Sequence, residues 1–211
     1  MPGTAATMNA PVERRARRGR PRDDRLDAVI VDATVAEVAA KGWGGATIEG
    51  IASRAGVGRG SIYRRWRSKS ELVQFVAVSI TAPSDSVDTG SFVDDLFAAM
   101  LPIADMLTQP ELAALLPALL AEATTDDSIR SIVRTFAGRC RQPVLDAVER
   151  ARLRGDVPPS TDADALVDML AGGLVYRRLL LGEAADESAV RALIRQAVRS
   201  CSPDPFTEEQ A

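Results

Sequence analysis

The amino-acid sequence predicts an all-α fold of about nine helices, and three observations support this prediction. Apolar residues recur at helical spacing along most of the chain, and no segment shows the alternating pattern of a strand. Leucine, alanine and valine dominate, whereas only 4% of the residues are aromatic. The 211 residues are enough for one or two domains with a hydrophobic core. We therefore expect helices packed around one or two cores.

The first helix is predicted over residues 23–41, where apolar residues recur at helical spacing and two aspartates stand at the N-terminus. The glycines that follow are expected to end this helix, with Trp43 packed into the core. Thr47 is expected to cap the second helix, because a threonine oxygen can accept a hydrogen bond from the first free backbone N–H groups.

The segment from Thr47 to Lys69 reads TIEGIASRAGVGRGSIYRRWRSK. It contains a short apolar helix, a turn at Gly56, where glycine tolerates a positive φ, and a second short helix with a cationic polar side. This arrangement is typical of a helix-turn-helix that binds DNA. The sequence therefore predicts an N-terminal three-helix helix-turn-helix domain over residues 23–80.

The chain beyond it, residues 81–202, is predicted to form a C-terminal helical bundle for ligand binding and dimerisation, followed by a frayed tail over residues 203–211. Helices are expected over residues 91–107, 110–123, 126–154, 162–181 and 186–201. Pro102, Pro117 and Pro143 are expected to kink or interrupt the helices that contain them.

Charge is distributed unevenly along the chain. Residues 1–70 hold 14 Lys/Arg and 7 Asp/Glu, a net charge of +7, whereas residues 71–211 hold 12 and 22, a net charge of −10. The total of −3 hides this difference. A basic N-terminal part on an acidic body suits a protein that contacts a polyanion at one end.

Several classes of function are disfavoured by composition. There is no histidine, the commonest general base and transition-metal ligand, and no nucleophile motif or phosphate-binding glycine loop. Cys140 and Cys201 lie far apart and suit free thiols. Arg177 and Arg178 interrupt the longest apolar run, and the N-terminus has no apolar signal core. We expect a cytoplasmic protein that is not an enzyme, with no cofactor, no metal and no membrane partner.

The helix-turn-helix segment resembles the DNA-binding domain of TetR-family (TetR/AcrR-like) repressors over roughly residues 23–75. The resemblance rests on Thr47-Ile48, Ile51-Ala52, Ala55-Gly56-Val57, Gly60-Ser61-Ile62-Tyr63, Trp66 and Lys69. One position departs: the family often has a serine cap on its recognition helix where this chain has Gly58, a slightly weaker cap. The resemblance implies a dimeric repressor that a small molecule releases from a palindromic operator.

The DNA-contacting residues follow from chemistry and from the resemblance. Arg59 and Arg64 can each grip guanine O6 and N7 as a fork, and Gly60 allows close backbone approach. Hydroxyls of Ser61 and Tyr63 can donate to phosphate oxygens. The resemblance implies that bases face Arg59, Gly60 and Ser61. It implies that phosphates face Thr47, Tyr63 and Lys69.

Residues 1–22 are predicted to be a disordered basic arm, since residues 13–22 read ERRARRGRPR. The run Gly19-Arg20-Pro21-Arg22 resembles the core of an AT-hook, so Arg18, Arg20 and Arg22 are expected to enter a narrow minor groove. The alternative is a merely solubilising tail. Deleting residues 1–20 is predicted to weaken DNA binding and flatten its salt dependence.

Two further sets of residues are assigned within the C-terminal bundle. The dimer interface is expected to include Leu166, Leu170, Gly173, Leu174, Leu181, Leu193 and Ile194. The pocket for a small apolar or amphipathic effector is expected to include Phe97, Met100, Met106, Phe136, Cys140, Met169 and Tyr176. For both sets the alternative is that the residues only pack in the hydrophobic core of a single chain. A constitutive or architectural DNA-binding dimer without an effector site is the alternative function.

Overall fold

The computed structural model describes residues 24–81, 87–199 and 201, and these residues form helices and no strands. The helices are α1 (Asp24–Gly45), α2 (Ile48–Ala55), α3 (Arg59–Tyr63), α4 (Lys69–Ile80), α5 (Phe92–Thr108), α6 (Pro110–Glu122), α7 (Asp127–Arg154), α8 (Ala163–Val175) and α9 (Glu187–Arg199). A π-helical turn, Tyr176–Leu180, extends α8. The all-α prediction is confirmed. The predicted arm, with Arg18, Arg20 and Arg22, and the tail lie outside the described residues.

Local signals set the ends of the first helices as expected. Thr47 caps α2, its Oγ1 accepting from the Gly50 N–H at 3.0 Å, and Ser68 caps α4 in the same way. Gly56 ends α2 with φ 65°, a left-handed conformation that suits glycine. In α1 the helical backbone breaks at Gly42, φ 69°, and resumes for one short turn that buries Trp43.

Proline does not interrupt the later helices. α5, α6 and α7 continue through Pro102, Pro117 and Pro143, so none of the three prolines ends its helix. A proline costs a helix about 3 kcal/mol. Apolar side chains are buried on both sides of Pro102 and Pro117, such as Met100 and Ile103 around the first, and Val144 is buried directly after Pro143. This burial offsets the loss.

The described helices share two hydrophobic cores. The first lies among α1–α4 and also takes Leu115 and Leu119 from α6 and Ile129 and Ile132 from α7. The second lies among α5, α8, α9 and the C-terminal half of α7. The packing of the N-terminal helices thus extends beyond the predicted domain over residues 23–80, because α6 lies across α1.

The junction of α5 and α6 turns the chain by 90°. α5 runs beside α7 and α9, while α6 packs on α1. Among the described residues no single helix is long and apolar enough to span a membrane; α5 and α6 pass that test only as a bent pair.

Candidate nucleic-acid interface

The exposed side of α3 carries the residues expected to read DNA. α3 buries Ile62 in the first core, and the buried Trp66 follows the helix. Four residues around this anchor are exposed: Arg59, Gly60, Tyr63 and Arg64. Ser61 is half-buried. The short helix and its C-cap residue therefore present two exposed guanidinium groups and an exposed glycine backbone.

The arginines on this face already have side-chain partners. Arg59 Nη1 lies 2.6 Å from Glu49 Oε1 of α2, and both side chains are exposed. The hydrogen bond lowers the pKa of Glu49 and raises the pKa of Arg59. Arg64 Nη2 donates to Ser61 Oγ at 3.0 Å. These contacts limit the positions that the two long side chains can adopt.

Two of the candidate phosphate-contacting residues, Thr47 and Tyr63, have hydroxyl groups in different surroundings. The Thr47 hydroxyl oxygen accepts the capping bond from Gly50, which leaves its O–H free to donate. The Tyr63 side chain is 51% exposed, and its hydroxyl has no partner within the described part of the chain. Both groups are therefore accessible to phosphate oxygens.

Lys69, which is expected to contact a phosphate, makes contacts within the chain that the sequence reasoning missed. Its ammonium donates to the Trp43 carbonyl at 2.6 Å and the Ala46 carbonyl at 2.9 Å, and lies 4.1 Å from the centre of the Trp43 ring. Burial lowers the pKa of Lys69, and the charge of Glu122 acts in the opposite direction. These two bonds use two of the three N–H donors of the ammonium group. Lys69 thus also fixes the start of α4 against the end of α1.

Two buried acids on α1 fix the helix-turn-helix, and sequence reasoning did not identify them. Glu37, whose side chain is 2% exposed, pairs with Lys41 at 2.6 Å and with Arg54 of α2 at 3.2 Å. The hydrogen bond from Lys41 lowers the pKa of Glu37 most; burial opposes this, and Arg54 adds to it. The signal in the sequence was a carboxylate beside the apolar stripe of α1.

The second buried acid, Asp27, forms an ion pair with Arg65 Nε at 2.7 Å. Arg65 Nη1 also donates to the Ser61 carbonyl at 3.3 Å. Arg65 therefore attaches the end of α3 to α1 and is not simply solvated. Together with the Glu37 contacts, this pair gives the reading surface a fixed orientation on α1.

A small apolar cavity lies between α4, α6 and α7. Its volume is about 30 Å³. Its walls are Val73, Val76, Ala77, Ile80, Met106, Leu112, Leu115, Leu116, Leu119, Ile132, Val133 and Phe136. Only Met106 and Phe136 come from the set predicted to line a pocket.

The other five predicted pocket residues do not line this cavity. Phe97, Met100 and Cys140 belong to the second core, and burial raises the pKa of the Cys140 thiol to about 11. Met169 and Tyr176 are about half exposed, at 47% and 52%. They point outward because α8 turns its leucine face into the second core.

Most of the residues predicted for the dimer interface are buried within the single chain. Leu166, Leu170, Leu174 and Ile194 are all at most 2% exposed inside the second core of one chain. Gly173 lies against Leu193 of α9, where an added Cβ would stand 2.8 Å from Leu193 Cδ2, so the glycine permits close packing within the chain. Leu181 alone of the set is exposed.

The outward face of α8 carries a different set of residues. Ala165, Met169, Gly172 and Tyr176 are exposed and recur at intervals of four, three and four residues, so they form one stripe along the helix. Sequence spacing alone does not distinguish this stripe from the buried one, since α8 is apolar on both sides.

Comparisons with known proteins identify the chain as a helix-turn-helix transcriptional regulator. The family description "Tetracyclin repressor-like, C-terminal domain" matches residues 86–197, and "Bacterial regulatory proteins, tetR family" matches residues 30–76. The chain belongs to the TetR family. It is a transcriptional regulator and not an enzyme.

Curated relatives match over most of their length. The uncharacterised HTH-type transcriptional regulator YdeS of Bacillus subtilis is 28% identical over 195 residues, 92% of this chain and 98% of the relative. The DNA-binding transcriptional repressor TetR of Mycobacteroides abscessus is 28% identical over 182 residues, 84% of this chain and 92% of the relative. The Bacillus subtilis regulator FadR, solved in complex with stearoyl-CoA, shares the fold with a TM-score of 0.69 at 14% identity, covering 81% of this chain and 97% of FadR.

Proposed function

We propose that this regulator is a dimeric repressor that binds a palindromic operator and is released by a small apolar or amphipathic effector. The observation that carries the proposal is the exposed face of α3, which presents Arg59, Gly60 and Arg64 on a helix fixed to α1. An exposed arginine pair on a rigid short helix suits guanine recognition in the major groove. One relative, TetR of Mycobacteroides abscessus, is a DNA-binding transcriptional repressor, which supports repression over activation.

The proposed division of roles follows accessibility and chemistry. Arg59, Gly60, Ser61 and Arg64 face bases. Thr47, Tyr63 and the remaining Lys69 N–H face phosphates, where they set position but do not read sequence. The basic arm, including Arg18, Arg20 and Arg22, adds contacts in the adjacent minor groove.

Two copies are needed because one short recognition helix reads only a few base pairs. The exposed stripe of α8, Ala165, Met169, Gly172 and Tyr176, suits a two-fold interface. Its small residues allow a partner helix to approach closely, and Met169 and Tyr176 supply apolar area. Leu181, the residue directly after the π-helical turn, is also exposed and apolar.

The cavity supports an effector that acts through α4. Four α4 residues, Val73, Val76, Ala77 and Ile80, form one wall, and the lining is apolar throughout. A volume of about 30 Å³ holds only one or two water-sized groups. An effector of ordinary size would therefore have to displace α4 from α6 and α7. Because α4 begins at Lys69, which is bonded to the end of α1, this displacement would move the helix-turn-helix. FadR holds an acyl-CoA ligand in the same fold.

The small volume also favours the alternative, a constitutive DNA-binding dimer without an effector site. The effector-released repressor and the constitutive dimer are distinguished by adding saturated fatty acids of increasing chain length to the DNA-bound protein. The measurements are DNA release and the thermal midpoint of the protein. The repressor proposal expects a chain length that raises the midpoint and releases DNA. Ala77→Phe, which fills the cavity, should abolish that response. No release by any chain length would favour the constitutive dimer.

DNA binding itself is tested by selecting duplexes from a randomised library with the full-length protein. We expect the wild type to enrich a two-fold symmetric motif and Arg59→Ala to lose about 1–3 kcal/mol of discrimination, roughly 5- to 150-fold, at one position of each half-site. Arg195→Ala removes an exposed charge on α9 and controls for net charge. Enrichment of no motif by the wild type would refute the proposal.

A further inference from the structure

The ion pair between Glu49 and Arg59 uses only one end of the guanidinium. Glu49 Oε1 accepts from Arg59 Nη1 at 2.6 Å. Within the described residues, Nε and Nη2 of Arg59 donate to no protein acceptor. These two nitrogens form one edge of the planar guanidinium, so the edge that can present two parallel N–H groups remains available.

This geometry leaves Arg59 able to grip guanine while it stays bound to Glu49. A fork on O6 and N7 needs two adjacent donors, and the Nε/Nη2 edge supplies them. A long arginine side chain otherwise samples many rotamers, and ordering it opposes binding. A carboxylate on Nη1 holds the side chain in fewer positions before DNA arrives and strengthens recognition of the correct base.

The charge of Glu49 has a second effect. Glu49 lies in the first turn of α2, two residues after Thr47, which is expected to contact a phosphate. A carboxylate near the phosphate backbone weakens binding to every duplex. On DNA that offers guanine to Arg59, the ordered fork offsets this repulsion. On other DNA the repulsion remains without that gain, so the same carboxylate widens the difference between sites.

We propose that Glu49 is a specificity-determining residue of this regulator, which positions Arg59 for guanine and disfavours duplexes that lack it. This inference rests on the proposed DNA-binding function. Glu49 is a positioning residue here, because it acts through Arg59 and does not itself contact a base.

The test compares wild type, Glu49→Gln and Asp32→Asn as full-length proteins. Asp32 is an exposed acid on α1, so Asp32→Asn makes the same charge change in the same domain. The probes are the duplex that the wild type selects, that duplex with G·C changed to A·T at the position read by Arg59, and a random-sequence duplex. Because Glu49 and Arg59 are both exposed, Glu49→Gln should keep the wild-type thermal midpoint.

We expect Glu49→Gln to lower the affinity ratio between the selected and the base-changed duplex by about fivefold or more, the scale of one specific base contact. Its affinity for random duplex should rise. Asp32→Asn should leave the ratio unchanged. In an Arg59→Ala background Glu49→Gln should not alter the ratio, because the residue through which it acts is gone.

Three results would overturn the inference. Equal ratios for Glu49→Gln and the wild type would remove any role in specificity. A changed ratio in the Arg59→Ala background would mean that Glu49 contacts a base directly. If the wild type selects no motif at all, the proposed function fails first and the inference fails with it, so the two failures are distinguishable.

Discussion

The guanidinium of Arg139 on α7 holds the C-terminal end of α4. Its Nε donates to the Thr81 carbonyl at 3.2 Å and to the Thr81 hydroxyl at 2.9 Å, directly after the last residue of α4. Nη2 reaches the Val78 carbonyl at 3.4 Å. The last carbonyls of a helix lack partners within the helix and carry partial negative charge. A cation there is therefore favoured both as a hydrogen-bond donor and by its charge. With Lys69 at its beginning, α4 is fixed at both ends.

Replacing Arg139 should therefore loosen α4. We expect Arg139→Ala to lower the free energy of unfolding by about 1–3 kcal/mol, the scale of lost charged hydrogen bonds. Denaturant titration followed by circular dichroism measures the change. Arg134→Ala is the matched control, since Arg134 lies on the same helix and is exposed. Equal stability of the two variants would contradict this role for Arg139.

Gly50 should not tolerate even a methyl group. An added Cβ would stand 2.7 Å from Glu37 Cδ and even closer to its Oε1, so the buried carboxylate would have to move away from Lys41 and Arg54. Alanine normally stabilises a helix relative to glycine by about 0.5–1 kcal/mol, but overpacking costs about 1–3 kcal/mol and should dominate.

Thermal unfolding of Gly50→Ala should thus show a lower midpoint. Gly44→Ala serves as the comparison, because a Cβ at Gly44 meets no atom within 4 Å. A Gly50→Ala midpoint at or above that of Gly44→Ala would show that the Glu37 carboxylate shifts without loss.

Asp95 should make the second core sensitive to acid. Its side chain is fully buried, accepts from the Thr89 N–H and hydroxyl, both at 2.7 Å, and pairs with Arg154 at 3.1 Å. Burial, the largest influence, raises the pKa of Asp95, but the bonds from Thr89 and Arg154 and the charge of Arg150 outweigh it. The net pKa lies below its ordinary value of 3.8.

A carboxylate whose pKa falls on folding stabilises the protein above the unfolded pKa, and this contribution is lost as pH falls through the folded pKa. We expect Asp95→Asn to be less stable than the wild type at pH 7 and the two to converge below about pH 4. Urea midpoints measured between pH 7 and pH 3 give both curves. A constant difference across that range would exclude Asp95 as a source of acid sensitivity.

The exposed stripe of α8 gives a test of assembly. Met169→Asp places a charge in the proposed interface and should convert the dimer to a monomer in sedimentation experiments. Leu153→Asp is the control, because Leu153 is 80% exposed near the end of α7 and lies outside the stripe. A dimer that persists in Met169→Asp, or a monomer in both variants, would argue against this interface.

The helix-turn-helix was predictable because its signals are local. The Thr47 cap, the positive φ at Gly56 and the burial of Trp43 each follow from residue type and short spacing. The contact of Lys69 with Trp43 was not predictable in this way, since 26 residues separate them and another use of Lys69 was equally reasonable.

The faces of α8 illustrate a different limit. This helix is apolar nearly all round, so periodicity alone did not indicate which side meets α9 and which meets solvent. The structure turns Leu166, Leu170 and Leu174 inward and leaves Met169 outward. The prediction for the dimer interface, and the placing of Met169 in the predicted pocket, depended on that choice.

The first core joins parts of the chain that a domain boundary near residue 80 would separate. Leu115 and Leu119 of α6 and Ile132 of α7 pack beneath the helices that carry the reading surface. If helices α1–α4 were joined to another regulator by cutting at that boundary, they would pack against an α6 and α7 of different sequence. We therefore expect substitutions on α1 to co-vary with those on α6 among relatives. Functional chimeras should require that α1–α4 and the residues of α6 and α7 that pack against them be exchanged together.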